Sequence, residues 1–122
     1  MRRNLKILIV DDYPLIAQML KRALERQFDG VDLAENGAQA LILFQQIRHD
    51  LIITDLDMPG MSGLELIEQI RAIRPETLCI LITARAKWLD DTPKGVLVLD
   101  KPFRVEEITR IIEGLPPEQL LV

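Results

Sequence analysis

The chain has 122 residues, 48% of them apolar and 28% charged, with a formal net charge of -4. This argues against disorder and sets an expectation of one compact domain over 1–122 with no separate effector domain. The mildly acidic balance gives no footprint for nucleic acid, the lone Cys79 excludes an internal disulfide framework and a Cys-based zinc site, and no apolar run approaches the about 20 residues of a membrane span or follows a charged leader, so no membrane contact and a cytoplasmic location are expected.

Ile7 to Val10 forms the first apolar run, and it ends at Asp11 and Asp12. Pro14 then opens a helical pattern carried by Leu15, Ile16, Met19, Leu20, Ala23 and Leu24. Val31 and Leu33 alternate with polar neighbours after Gly30 and predict a second strand. After the Asn36-Gly37 break, Ala38, Leu41, Phe44 and Ile47 predict a second helix. Leu51 to Thr54 is the next apolar run, ending at Asp55. Ser62 with Glu65 forms a capping-box pattern ahead of the stripe Leu64, Ile67, Ile70 and Ile73, which Pro75 closes. Leu78 to Thr83 and Val96 to Leu99 are two further apolar runs. Val105, Ile108, Ile111 and Ile112 mark a last helix, stopped by Gly114 and Pro116-Pro117.

Continuous apolar runs predict strands buried on both faces, as in a parallel sheet. The expected fold is therefore α/β: a flavodoxin-like three-layer sandwich with a five-stranded parallel sheet and helices on both faces. One common strand order, 2-1-3-4-5, places the switch point between strands 1 and 3. The core is expected over about residues 5–114, leaving 115–122 as a short, partly apolar tail that could fray, pack back or touch a partner.

Ligands of such sheets bind beyond the carboxyl ends of the strands. Those ends carry Asp11 and Asp12, then Asp55 with Asp57 two residues on, then Thr83, then Asp100 and Lys101. Taken singly these have plain readings. Asp12 before Pro14 is a helix-cap candidate, Thr83 a strand-end hydroxyl, and Lys101 a solvated charge. Asp90, Asp91 and Asp100 read as solvated or turn residues. His49, the sole histidine, reads as a surface or capping residue, Cys79 as a buried inert thiol, and Met58 and Met61 as loop packing. Together, three neighbouring carboxylates resist joint ionisation unless a cation is near. An all-oxygen set of this size suits Mg2+. A carboxylate is also a competent nucleophile toward phosphorus, with a lysine and a hydroxyl placed to offset the transferred charge.

The Asp11-Asp12 pair, the segment from Asp55 through Leu56-Asp57-Met58-Pro59-Gly60-Met61-Ser62 to Gly63, Thr83-Ala84, and Lys101-Pro102-Phe103 resemble the receiver domain of two-component response regulators. The resemblance runs in order from Ile7 to the last helix. It implies that Asp55 accepts a phosphoryl group from a phosphohistidine on a sensor histidine kinase or a histidine phosphotransfer protein. It implies that Asp12 and Asp55 ligate Mg2+, with Asp11 helping through water and the backbone carbonyl of Asp57 as a further ligand. Thr83 and Lys101 would contact the phosphoryl group, Lys101-Pro102 would be a cis bond, and Gly60 and Gly63 would let the loop turn sharply beside the site. Such a protein catalyses only its own phosphoryl transfer and dephosphorylation, and acts through an unidentified downstream protein, with a homodimer left open.

Two departures accompany the resemblance. Only seventeen residues separate Thr83 from Lys101, so the fourth helix of such domains is expected to be short or absent. Val98 stands three before the lysine, where such domains often place an aromatic residue. Trp88 falls in the shortened segment and is expected to cover the sheet edge there rather than meet a partner. Two other functions remain open. One is a protein-binding module of the same fold that does not use phosphorylation. The other is a Mg2+-dependent phosphohydrolase, since Asp55-Leu56-Asp57 superficially matches the D-x-D of haloacid-dehalogenase-type phosphatases.

Overall fold

The computed structural model describes residues 3–89 and 92–114, without the side chains of Arg3 and Trp88. The expectations for the 115–122 tail, for Asp90-Asp91 and for the packing of Trp88 lie outside the described residues. In chain order the elements are β1 (Arg3–Val10), α1 (Pro14–Leu24), β2 (Phe28–Ala34), α2 (Gly37–Ile47), β3 (Leu51–Asp55), α3 (Gly63–Ile73), β4 (Leu78–Thr83), a single 3-10 turn (Ala86–Trp88), β5 (Val96–Asp100) and α4 (Val105–Glu113). All five strands are parallel, in the order β2-β1-β3-β4-β5.

Each helix starts where local chemistry supplies its unpaired N–H groups with partners or removes one. Pro14 lacks the N–H that a first turn leaves unpaired. The Asn36 side chain accepts the Gln39 N–H at the head of α2. Ser62 and Glu65 close a reciprocal capping box at the head of α3, with both hydrogen bonds at 3.2 Å. Asp12, whose plain reading taken singly is a helix cap, does not cap α1. Tyr13 is the residue that precedes α1, and it is the neighbouring Asp11 whose Oδ1 accepts the Tyr13 N–H at 2.8 Å.

The helices bury two apolar layers against the sheet. Leu20 and Leu24 of α1 and Ile108 and Ile112 of α4 pack with Ile9 and Ile53 on one face. Phe44 of α2 and Leu66, Ile67 and Ile70 of α3 pack with Leu8 and Ile52 on the other. Each fully buried Leu or Ile contributes about 1.5–3 kcal/mol. These layers fix where the strand ends emerge.

Two expectations need correction. The run Val96 to Leu99 does not make a strand buried on both faces, because Leu97 is 43% exposed and Val98 is half-buried. β5 is an edge strand, and among its described residues the connection that reaches it carries a 3-10 turn. From that connection Leu89 packs against the α3-side core, and Arg71 of α3 donates to the Lys94 carbonyl at 2.6 Å. His49 is not at the surface. It is fully buried, stacked on Phe44, with Nε2 2.8 Å from Asp32 of β2. A partner on a neighbouring strand stabilises an imidazole that would otherwise be buried without a hydrogen bond.

Candidate functional site

The strand order decides which side chains meet. β1, β3, β4 and β5 are consecutive neighbours, so Asp11-Asp12, Asp55, Thr83 and Asp100-Lys101 emerge side by side along one edge of the sheet. β2 lies on the far side of β1, which opens the crevice between β1 and β3. Ligand oxygens of Asp11, Asp12 and Asp55 lie within 4.8 Å of one another. Asp11 and Asp55 are buried and Asp12 is exposed, so the cluster has one open side.

The electrostatics of this cluster favour a cation. Burial pushes the Asp11 carboxyl above its ordinary value. The Tyr13 N–H opposes that shift, Asp55 adds to it, Lys101 opposes it, and Asp12 adds to it. The Lys101 ammonium stands 3.1 Å from Asp55 Oδ1. That contact is an ion pair without an aligned donor, and Oδ1 is a buried oxygen with no hydrogen bond to it. Such an atom is stabilised by a ligand that approaches along its free lone pair.

The backbone sets Lys101 in place. Its N–H donates to the Thr83 carbonyl at 3.0 Å, and the Lys101-Pro102 bond is cis, as the resemblance implied. Thr83 is fully buried, and its Oγ1 accepts the Arg85 N–H at 3.0 Å, which leaves the hydroxyl proton to be donated elsewhere. Asp57 is exposed and its carboxylate pairs with Arg85, with Nη2 to Oδ1 at 2.6 Å. The side chain is thus committed away from the acidic cluster.

The loop that follows β3 is shaped by its glycines, in two different ways. Gly60 has φ of +80°, a left-handed turn that side chains rarely adopt. Gly63 makes no such turn, which corrects the expectation for it. It is required by proximity, because a Cβ there would collide with the carbonyl oxygen of Asp55 and lie 2.9 Å from Leu81 Cδ1. Thr54, which sequence reasoning passed over, is fully buried and donates its hydroxyl to the same Asp55 carbonyl at 3.0 Å. A threonine inside an apolar run reads as a strand former, so no pattern in the sequence marks it.

Comparison with known proteins agrees with this fold. The model of the response regulator receiver domain matches residues 7–113. The two-component response regulator PhoP of Pseudomonas aeruginosa is 33% identical over 115 residues, which cover 91% of this chain and 51% of that protein. The chemotaxis protein CheY of Listeria monocytogenes is 32% identical over 114 residues, covering 89% of this chain and 96% of that protein. The solved structure of the chemotaxis protein CheY4 of Vibrio cholerae superposes with a TM-score of 0.79 at 27% identity, covering 93% of this chain and 99% of that one. This chain spans about half the length of the transcriptional regulators among its relatives. Among the described residues no helix is long and apolar enough to cross a membrane. Fold, strand-end chemistry and sequence likeness converge: the chain belongs to the response regulator receiver domain family, the phospho-accepting signalling switches of two-component systems.

Proposed function

We propose that this chain accepts a phosphoryl group on Asp55 from a phosphohistidine of a sensor histidine kinase or histidine phosphotransfer protein, and that the charged product alters its fit to a downstream protein. The observation that carries this reading is Asp55 itself. It is a buried carboxylate at a strand end, set among two others, with a lysine ammonium at 3.1 Å and an oxygen that lacks an aligned donor. An oxygen-only cluster with one exposed member fits Mg2+, which keeps several waters and binds through one or two carboxylates. Asp12 and Asp55 would hold it, with Asp11 acting through water and the Asp57 main-chain carbonyl as a further ligand. When bound it supplies positive charge that offsets that of the acceptor and the incoming phosphoryl group.

The chain's own residues do the rest. One Asp55 oxygen attacks phosphorus on the side opposite the donor nitrogen. The new P–O bond forms as the P–N bond breaks, and the bonding pair stays on nitrogen. The donor ring, protonated on its other nitrogen, leaves as neutral imidazole, and Asp55 becomes an acyl phosphate. The Lys101 ammonium turns from the carboxylate to the phosphoryl oxygens, and the Thr83 hydroxyl donates its free proton to one of them. Attack by water at phosphorus returns the carboxylate and inorganic phosphate. The chain therefore catalyses only its own modification. An open apolar cleft lined by Ile16, Met19, Ala84, Pro102 and Phe103 runs beside Lys101 and supports approach of a protein donor from that side.

One observation favours a second reading, a phosphorylation-independent binding module. Among the described residues of the connection from β4 to β5 the one element is the Ala86–Trp88 turn, and Val98 stands where the aromatic is expected, so the usual coupling of Thr83 to an aromatic switch residue has no second member here. Phosphotransfer decides between the two readings. Mixed with a phosphohistidine-labelled donor and Mg2+, the chain is expected to take up the label as a base-labile acyl phosphate. Chelation of the metal and Asp55→Asn should each abolish uptake. A wild-type chain that takes up no label from any phosphohistidine donor or small acyl phosphate supports the second reading.

A further inference from the structure

We infer that Thr54 and Gly63 are positioning residues for the phosphoacceptor, which grip the main-chain carbonyl of Asp55 and so aim its carboxylate. The inference rests on the assignment of Asp55 made above.

Asp55 is the last residue of β3. Beyond it the chain leaves the sheet, with Leu56 N–H to the Ile82 carbonyl at 2.9 Å as its last bond to β4. Strand ends are where backbone order decays first. The ladder holds this peptide by its Leu56 N–H alone, and the Asp55 carbonyl at its other end is oriented firmly only if it is held as well. Two contacts converge on that peptide from the α3 side of the sheet. The Thr54 hydroxyl donates to the Asp55 carbonyl at 3.0 Å, and Gly63 approaches the same oxygen so closely that a Cβ would overlap it. Gly63 also donates its N–H to the next carbonyl, that of Leu56, at 2.9 Å. The head of α3, fixed by the Ser62–Glu65 capping box, thereby sits against two successive carbonyls at the acceptor.

A plain alternative exists, in which a buried hydroxyl simply takes the nearest acceptor. Under that alternative its loss lowers stability and leaves the reaction rate alone. Under the inference it moves the rate, because a misplacement of about 1 Å at a reacting group costs up to about a hundredfold. The energetic contribution of the bond itself is small, so rate and stability separate.

The test is phosphorylation by acetyl phosphate with Mg2+, followed by intact mass against time at several acetyl phosphate concentrations, with thermal midpoints measured in parallel. Thr54→Val keeps the shape and removes the hydroxyl. It is expected to lower the maximal rate about tenfold while the half-saturating acetyl phosphate concentration stays near wild type, and Thr54→Ser is expected to restore the rate. Gly63→Ala is expected to lower it further, and if that variant does not fold the Thr54 pair decides alone. A Thr54→Val variant that gains mass as fast as wild type, or a Thr54→Ser variant as slow as Thr54→Val, overturns the positioning role and leaves the acceptor assignment standing. A wild-type chain that gains no mass overturns the acceptor assignment and the positioning role with it.

Discussion

At the scale of single residues, the site is a local conflict held in place by the fold. Asp11 and Asp55 are both buried, and Asp12 adds a third carboxylate within 4.8 Å. Lys101 answers only part of that charge. Burial raises the Asp11 pKa, and the two neighbouring carboxylates add to it, so the folded chain holds a proton on Asp11 more readily than the unfolded chain does. The sign is then fixed. Stability falls as pH rises from the ordinary carboxylate value through the raised one, and at neutral pH the charge on Asp11 opposes folding. Asp11→Asn keeps an oxygen for the Tyr13 N–H and removes the charge. Thermal denaturation without divalent ions should show a higher midpoint for this variant than for wild type. Added Mg2+ should raise the wild-type midpoint by mass action and the variant's much less. Equal responses of both chains to Mg2+ would remove Asp11 from the proposed metal site.

At the scale of elements, the strand ends and helix starts were legible because each is written in adjacent residues. Ser62 and Glu65 are three apart, and Pro14 and Asn36 act on the turns that follow them. What was not legible joins distant residues. His49 reads as a surface residue until β2 is placed beside β1, which brings Asp32 to 2.8 Å from its Nε2. Gly63 reads as a turn residue until α3 is laid against the Asp55 carbonyl. His49 also gives a pH dependence of its own. Burial lowers its pKa below the ordinary 6.5, against the opposing pull of Asp32 and Asp50, so the unfolded chain is the better proton acceptor. The stabilising contribution of the neutral ring is present above that value and is lost as pH falls toward the folded one. Denaturant unfolding at about pH 7.5 and about pH 5.5 should show a larger loss of stability for wild type than for His49→Gln. Equal losses would mean that His49 titrates alike in the folded and unfolded chains.

At the scale of the whole molecule, the fold does two jobs with unequal completeness. The strand order brings Asp11, Asp12, Asp55, Thr83 and Lys101 to one edge of the sheet. The connection from β4 to β5 is where the chain departs from the expected pattern, with seventeen residues between Thr83 and Lys101. Among its described residues it carries a 3-10 turn, Leu89 on the α3-side core and the Arg71–Lys94 contact, and Leu97 of the edge strand is 43% exposed. The proposed phosphoryl acceptance at Asp55 needs none of these features, whereas readout through an aromatic switch residue has no aromatic at Val98 to work with. The proposed acceptance at Asp55 is therefore independent of how the signal leaves. The most direct measurement is intact mass after incubation with acetyl phosphate and Mg2+, with peptide mapping of the product. Acceptance at Asp55 predicts a gain of one phosphoryl group that maps to Asp55, disappears on chelation of the metal and is absent from Asp55→Asn. No gain in the wild-type chain, or a gain that persists in Asp55→Asn, would contradict it.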